Sequence, residues 1–183
     1  MRLTKKEMVA WRRKALGLDA ADAGCVVERT DGVDLNEVLT TGLRREYLRM
    51  LDEGDESMIE PVDVAQMDGL KRDGSSNGLE SLLLPAGVRR VLSVRLRGWA
   101  QPVRPLKGAE ASEVLRAQDN PYTCATENSP VALITADGRL MAGPVPPIYG
   151  EDTGVQSLLC AYDFGEDTYV LDERGLRELA ISN

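Results

Sequence analysis

The stretch VRRVLSVRLR, Val88 to Arg97, alternates apolar and charged side chains with the period of a strand that buries one face and wets the other. Val88, Leu92, Val94 and Leu96 fall on one face, interrupted only by Arg90, while Arg89, Ser93, Arg95 and Arg97 share the other with Val91. Just upstream, Leu79 to Pro85 predicts a short buried strand. Downstream, Gly98-Trp99 reads as a turn, and Ala100 to Leu106 reads as a returning edge strand restricted by Pro102 and Pro105.

The same period recurs toward the C-terminus. Glu110 to Ala117 predicts a short helix and Gln118 to Pro130 a polar loop. Val131 to Ala136 and Arg139 to Gly143 then form a hairpin, since Asp137-Gly138 suits the positive backbone angles of a two-residue turn. Pro144, Pro146 and Pro147 end it. Val155 to Phe164 predicts another strand, and Asp172 caps a last helix through Leu179.

Before residue 71 the period is helical. Thr4 and Glu7 stand at T-x-x-E spacing, in which each side chain satisfies an otherwise orphaned amide, so a helix starts there and Gly17 ends it. Met8, Trp11, Ala15 and Leu18 form its apolar stripe, and Lys5, Lys6, Arg12, Arg13 and Lys14 cover the other faces. After a turn at Asp31-Gly32, Asp34 and Glu37 repeat the capping logic. Leu35, Val38, Leu39, Leu43, Tyr47, Met50 and Leu51 then mark a second helix, closed by Gly54 amid Asp52, Glu53, Asp55 and Glu56. Those four acids lack the alternating ligands of a calcium loop and read as a solvated turn. A shorter helix or turn follows from Met58 to Leu70, and Lys71 to Gly78 reads as a flexible boundary loop.

The fold class expected is therefore α+β: N-terminal helices, then a mainly antiparallel sheet with a short C-terminal helix. Residues 1–70 form the helical part and residues 79–183 the β-rich part with one or two short helices, either as two regions or as one continuous domain.

A chain of 183 residues can bury a core without disulfide or metal staples. It has no histidine, which removes Ser-His-Asp and Cys-His pairs, imidazole bases and histidine metal sites. One Phe, two Trp and five Tyr leave little for base stacking. Cys25, Cys124 and Cys160 are too scattered for a disulfide framework or a C-x-x-C site and fit a reducing cytoplasm. Residues 1–18 lack an apolar signal core, and no run approaches a membrane span, so a soluble, unexported chain, full length at its N-terminus, is expected.

The net charge of -8 conceals alternating blocks: +5 over residues 1–16, -10 over 17–85, +6 over 86–107 and -9 over 108–183. Such blocks pair within one fold or across neighbouring copies. Two interface candidates follow. One is the arginine face of the strand, Arg89, Arg95 and Arg97, extended by Arg104 and Lys107. The other is the first helix, through Trp11, Arg12 and Arg13. The strand face reads as a wet sheet face, as an interface with an acidic protein surface, or as a nucleic-acid contact. The helix reads as packed on its own domain or docked on a partner.

Residue chemistry assigns no catalytic role. Cys124 has no activating base in sight, and Glu151-Asp152 and Glu166-Asp167 are ordinary acidic loops. The nucleotide-binding and serine-hydrolase glycine motifs do not occur. No catalytic residue, metal or cofactor is expected.

The order of elements includes LPAGVRRVLSVRL (Leu84 to Leu96), a loop with Asn120-Pro121-Tyr122, a P-x-A-L-I hairpin running into RLMAGPVPP (Arg139 to Pro147), and a strand ending at Tyr162. It resembles that of tailed-phage head-to-tail adaptor, or neck, proteins. The likeness spans most of residues 35–165, as element order and short apolar strings. It departs at the C-terminus, where the family continues through longer helices that contact the portal. The resemblance implies a non-enzymatic phage or prophage component that forms a ring beneath the portal, with itself and a portal or tail protein as partners. It further implies a cytoplasmic location during assembly and a place in the virion, while the missing apolar span and the net acidity lead us to expect no membrane and no specific nucleic-acid binding. The alternative from another class is a small binding module using Gln118 to Pro130 and the arginine face.

Overall fold

The computed structural model describes residues 1–18, 35–145 and 153–181. The protein is α+β, with four helices and three antiparallel sheets among the described residues. It divides into two compact units: residues 1–60 with 161–183, and residues 61–160. The turn at Asp31-Gly32, the Asp34 cap, Pro146, Pro147, Cys25 and the Glu151-Asp152 pair lie outside the described residues.

In the first unit, β1 (Arg2–Thr4) leads directly into α1 (Lys5–Ala15). The capping box forms as expected: the Thr4 hydroxyl accepts from the Glu7 N–H, and the Glu7 carboxylate accepts from the Thr4 N–H at 2.8 Å. α2 (Leu35–Glu53) buries Leu39, Leu43, Tyr47, Met50 and Leu51 of the predicted stripe; the side chains of Leu35 and Val38 lie outside the described residues. Past Gly54, Asp55 caps a single 3₁₀ turn, Glu56–Met58, by accepting from the Ser57 N–H at 2.8 Å. The acidic turn thus has a structural member in Asp55, beyond the solvated turn that its composition suggests.

The far end of the chain completes this unit. β9 (Thr168–Val170) pairs antiparallel with β1, Leu3 opposite Tyr169, and α4 (Glu173–Ile181) packs on α1, α2 and the 3₁₀ turn. Asp172 caps α4 as predicted, accepting from the Gly175 N–H at 2.7 Å. Gly175 must be glycine for space: a Cβ there would press into the Met58 carbonyl and lie 3.1 Å from the Met58 Cβ. Met8, Tyr47, Tyr169, Leu171, Leu176 and Leu179 are fully covered, and the Tyr47 and Tyr169 rings meet edge to face at 5.0 Å.

The second unit holds two sheets. β3 (Lys71–Ser76), β4 (Leu79–Leu83), β7 (Leu140–Gly143) and β6 (Val131–Ile134) form the first in the order β3-β4-β7-β6. Lys71 to Gly78 is therefore a strand and a turn rather than a loop, and the units divide after residue 60. β3 has no apolar side chain and is exposed along its whole length, which hid it from a periodicity reading; the register shift between Arg72 and Ser75 breaks its ladder. α3 (Gly108–Ala117) packs on β6, and Leu79, Ala111, Leu133 and Met141 form the core beneath it.

The β6–β7 hairpin exists with a longer turn than expected. Thr135 N–H donates to the Arg139 carbonyl and Gly138 N–H to the Thr135 carbonyl, leaving residues 136 to 138 as a three-residue loop with Gly138 at φ +82°. The second sheet has the order β2-β8-β5, from β2 (Val62–Asp63), β8 (Val155–Tyr162) and β5 (Val88–Leu96). β2 occupies part of the stretch read as a helix or turn. Ala100 to Leu106 is not a continuous strand: Val103 bridges Val94, and Leu106 bridges Leu133 in the parallel sense, with Pro102 and Pro105 removing the donors a regular ladder needs.

Candidate functional site

β5 follows the predicted alternation in part: Val91, placed on the arginine face, is buried as well, and Val88 and Arg90 are half-buried on the other. Leu92, Val94 and Leu96 are buried on one face; Arg89 and Arg97 are exposed on the other, with Arg95 half-buried. The Arg95 Nε donates to the Trp99 carbonyl at 3.1 Å, so this arginine also braces the turn that follows its strand. Trp99 is buried and its indole N–H donates to the Pro144 carbonyl at 2.9 Å, which makes it a core anchor. Because Val103 bridges Val94, its neighbour Arg104 turns to the arginine side, and Arg104 and Lys107 are both exposed. Arg89, Arg97, Arg104 and Lys107 are thus all exposed on the second unit.

The first-helix candidates separate. Trp11 is half-buried and lines a cleft of about 570 Å³ with Lys14, Ala15, Arg177, Ala180 and Ile181. Arg13 is half-buried in a different groove. Arg12, expected on the outer surface, is buried at 7% exposure, and its guanidinium donates to the Leu39 carbonyl at 3.4 Å. The reason is helical spacing: four residues beyond Met8, Arg12 lies one turn along the same inward face, where its long stem packs and its head reaches α2.

The groove that takes Arg13 is the larger feature of the first unit. About 810 Å³ in volume, it lies between α1, α2 and β9, lined by Val9 and Ala10 together with Lys5, Lys6 and Arg13. A second cleft of about 420 Å³ shares Lys5 and Thr40 with it and adds Arg44, Arg45 and Leu48. Asp167 stands in the first and Glu166 in the second, so the predicted acidic pair faces five cations. Arg44 is fixed from beneath: its guanidinium bonds the Asp163 carboxylate at 2.6 Å and lies 5.5 Å from the Tyr47 ring centre.

Lys5, Lys6, Arg44 and Arg45 were not singled out as an interface from sequence. The +5 block of residues 1–16 pointed to half of this surface; the other half stands on α2, inside a block that is acidic on average.

The chemistry available is electrostatic. Among the described residues no three Cys, Asp or Glu side chains meet in a cluster able to hold a metal ion. Burial pushes the Cys160 thiol up to about 12, helped by the nearby Asp63 carboxylate, so it stays protonated at neutral pH. Cys124 sits half-buried in the loop after α3, its thiol 3.5 Å from the Pro121 carbonyl. The loop is pinned by Gln118, whose side chain accepts from the Ala125 N–H and donates to the Val114 carbonyl. No helix among the described residues is long and apolar enough to cross a membrane. No protein-family model and no curated protein matches this chain.

Proposed function

We propose that the protein is a head-to-tail adaptor of a tailed phage or prophage, a non-enzymatic assembly protein whose copies form a ring at the portal. The observation that carries the reading is where the resembling strings fall. The segment introduced by Leu84-Pro85 occupies β5, the A-L-I string ends β6, L-M-A-G is β7, and Tyr162 ends β8. A helical part precedes them, in the order the adaptors show. Segregated charge supports the same reading: exposed arginines on one unit and a cation-lined groove on the other, in a chain of net charge -8, suit contacts between proteins better than wrapping of DNA.

The test is mass by light scattering over a wide concentration range at low and moderate salt, with and without a tailed-phage portal protein. A large closed oligomer, weakening as salt rises or forming on the portal, is the expected result. A monomer under every condition that also ignores the portal would overturn the reading.

A further inference from the structure

We propose that Asn77, at the tip of the β3–β4 hairpin, is a self-modification site: its side-chain amide closes onto the Gly78 nitrogen, and the aspartate and isoaspartate that result loosen β3 from β4. The inference does not depend on the ring reading.

Sequence and backbone bring the reacting atoms together. Asn77-Gly78 is the one Asn-Gly pair in the chain. Ser76 pairs with Leu79, so the residues between them form a two-residue turn, with Asn77 at φ +53° and Gly78 at φ +75°. Positive φ at both positions is what a type I′ turn requires, and in such a turn the flanking pair carries the closing bonds while the Gly78 N–H stands outside the ladder. Gly78 has no side chain to shield its nitrogen, and even a Cβ built there would meet nothing within 4 Å. Both residues are exposed. The Ser76 hydroxyl donates to the Asn77 Oδ1 at 3.4 Å, which makes Cγ more electrophilic and steadies the oxyanion that forms when it is attacked.

The chemistry balances with water as the co-reactant. The Gly78 nitrogen gives its proton to solvent and bonds to the Asn77 Cγ; the Cγ–Nδ2 bond breaks, and Nδ2 leaves as ammonia with a proton taken from water. A second water opens the succinimide. Cleavage between the Gly78 nitrogen and Cγ leaves aspartate, whereas cleavage between that nitrogen and the main-chain carbon leaves isoaspartate, with the chain rerouted through the side chain.

Ring closure needs rotation about the Asn77 Cα–C bond, hence a brief opening of the turn. β3 makes that opening easy, because it is exposed along its whole length, carries no apolar side chain and has a broken ladder between Arg72 and Ser75. Comparable positions lack the combination. Asp137-Gly138 shares the glycine, but the Thr135 hydroxyl holds the Asp137 carboxyl below its ordinary value, and an ionised carboxylate is a poor electrophile. Asn120 precedes Pro121, which has no N–H, and Asn128 precedes Ser129, whose N–H donates to the Thr126 carbonyl at 3.0 Å. Isoaspartate adds a main-chain atom to a turn built for two residues, so the register of Ser76 against Leu79 slips and β3 is released together with Arg72, which holds the buried Glu80.

Ageing of the folded full-length chain at pH 8 tests this. The tryptic peptide of residues 73–89 should gain one mass unit, with both isoaspartate and aspartate placed at position 77 by fragmentation. Brief native digestion should nick the aged protein after Lys71 or Arg72 several-fold faster than the fresh one. Asn77→Gly keeps a residue suited to positive φ and should show neither change. Ser76→Ala should slow the gain a few-fold at an unchanged ratio of isoaspartate to aspartate, because that ratio is decided after ammonia has left; an unaltered rate would remove the hydroxyl from the reaction. If the folded chain stays unmodified at residue 77 while the guanidinium-unfolded chain converts, Asn77 is not a site of the native protein. Aspartate without isoaspartate would rule out the succinimide, and conversion without faster nicking would rule out the release of β3.

Discussion

The phenolic oxygen of Tyr47, in α2, accepts a hydrogen bond from the main-chain N–H of Val170, in β9, across 3.1 Å. The two residues are separated by most of the chain, and both are buried. The bond is a polar link between the long helix and the short sheet, and it satisfies the Val170 amide with a side chain.

Tyr47→Phe keeps the ring and its edge contact with Tyr169 but removes the acceptor, stranding the Val170 N–H. An unmet buried donor costs about 1–3 kcal/mol. Urea unfolding monitored by far-UV circular dichroism should show that loss with an unchanged slope; an unchanged midpoint would mean that the amide finds another partner.

Gly175→Ala tests the close approach of α4 to the 3₁₀ turn. The added methyl meets the Met58 carbonyl and the Leu171 Cβ, 3.2 Å away, and overpacking of this kind costs about 1–3 kcal/mol. The midpoint of thermal unfolding should fall by several degrees, whereas Arg174→Ala, on the outer side of the same helix, should leave it nearly unchanged.

Alkali should destabilise the protein partly through Cys160. Below the ordinary thiol value of about 8.5, native and unfolded chains both hold the proton. Above it the unfolded thiol ionises while the buried one keeps its proton to about 12, so stability falls by up to about 1.4 kcal/mol per pH unit in that window. Burial also raises Tyr47 and Tyr169, which add to the loss at higher pH. Urea midpoints measured from pH 8.5 to 10 should therefore slope less steeply in Cys160→Ala. Iodoacetamide at pH 8 should label Cys124 in the native protein and Cys160 only after unfolding.

Glu80 is buried in β4 at 3% exposure and is held by the Arg72 guanidinium from β3. Arg72→Met should cost about 1–3 kcal/mol, because it leaves a buried carboxylate short of a donor. Adding Glu80→Leu should recover most of that loss, since an apolar pair no longer carries the desolvation penalty. Chemical denaturation of the three proteins measures the coupling directly, and additive losses would contradict it.

What the sequence revealed, and what it hid, follow from the range of each signal. The Thr4–Glu7 box, the α2 stripe, the Asp172 cap and the alternation of β5 are set by neighbours a few residues apart; the box, the cap and the described part of the stripe take the predicted form, and β5 does so apart from the buried Val91. β1, β2 and β9 are two or three residues long, too short for any period to show, and they exist because distant partners supply their hydrogen bonds. β3 escaped because Lys71 to Ser76 reads as a loop until β4 pairs with it. At the candidate site, the exposed arginines of β5 were legible from alternation. Arg12 was assigned to the wrong side because an arginine on a buried face has no signature apart from the contacts it makes. Arg44 and Arg45 join Lys5 and Lys6 only through tertiary packing.

The pairing of β1 with β9 also fixes an order of events on the ribosome. Residues 61–160 hold every strand and helix that their own unit needs, and that unit can close as soon as it has emerged. The first unit is translated in two instalments, and Leu3 waits for Tyr169 before its strand has a partner. α1, which follows β1 directly and packs against α4, is thus among the last elements of its unit to be locked in place.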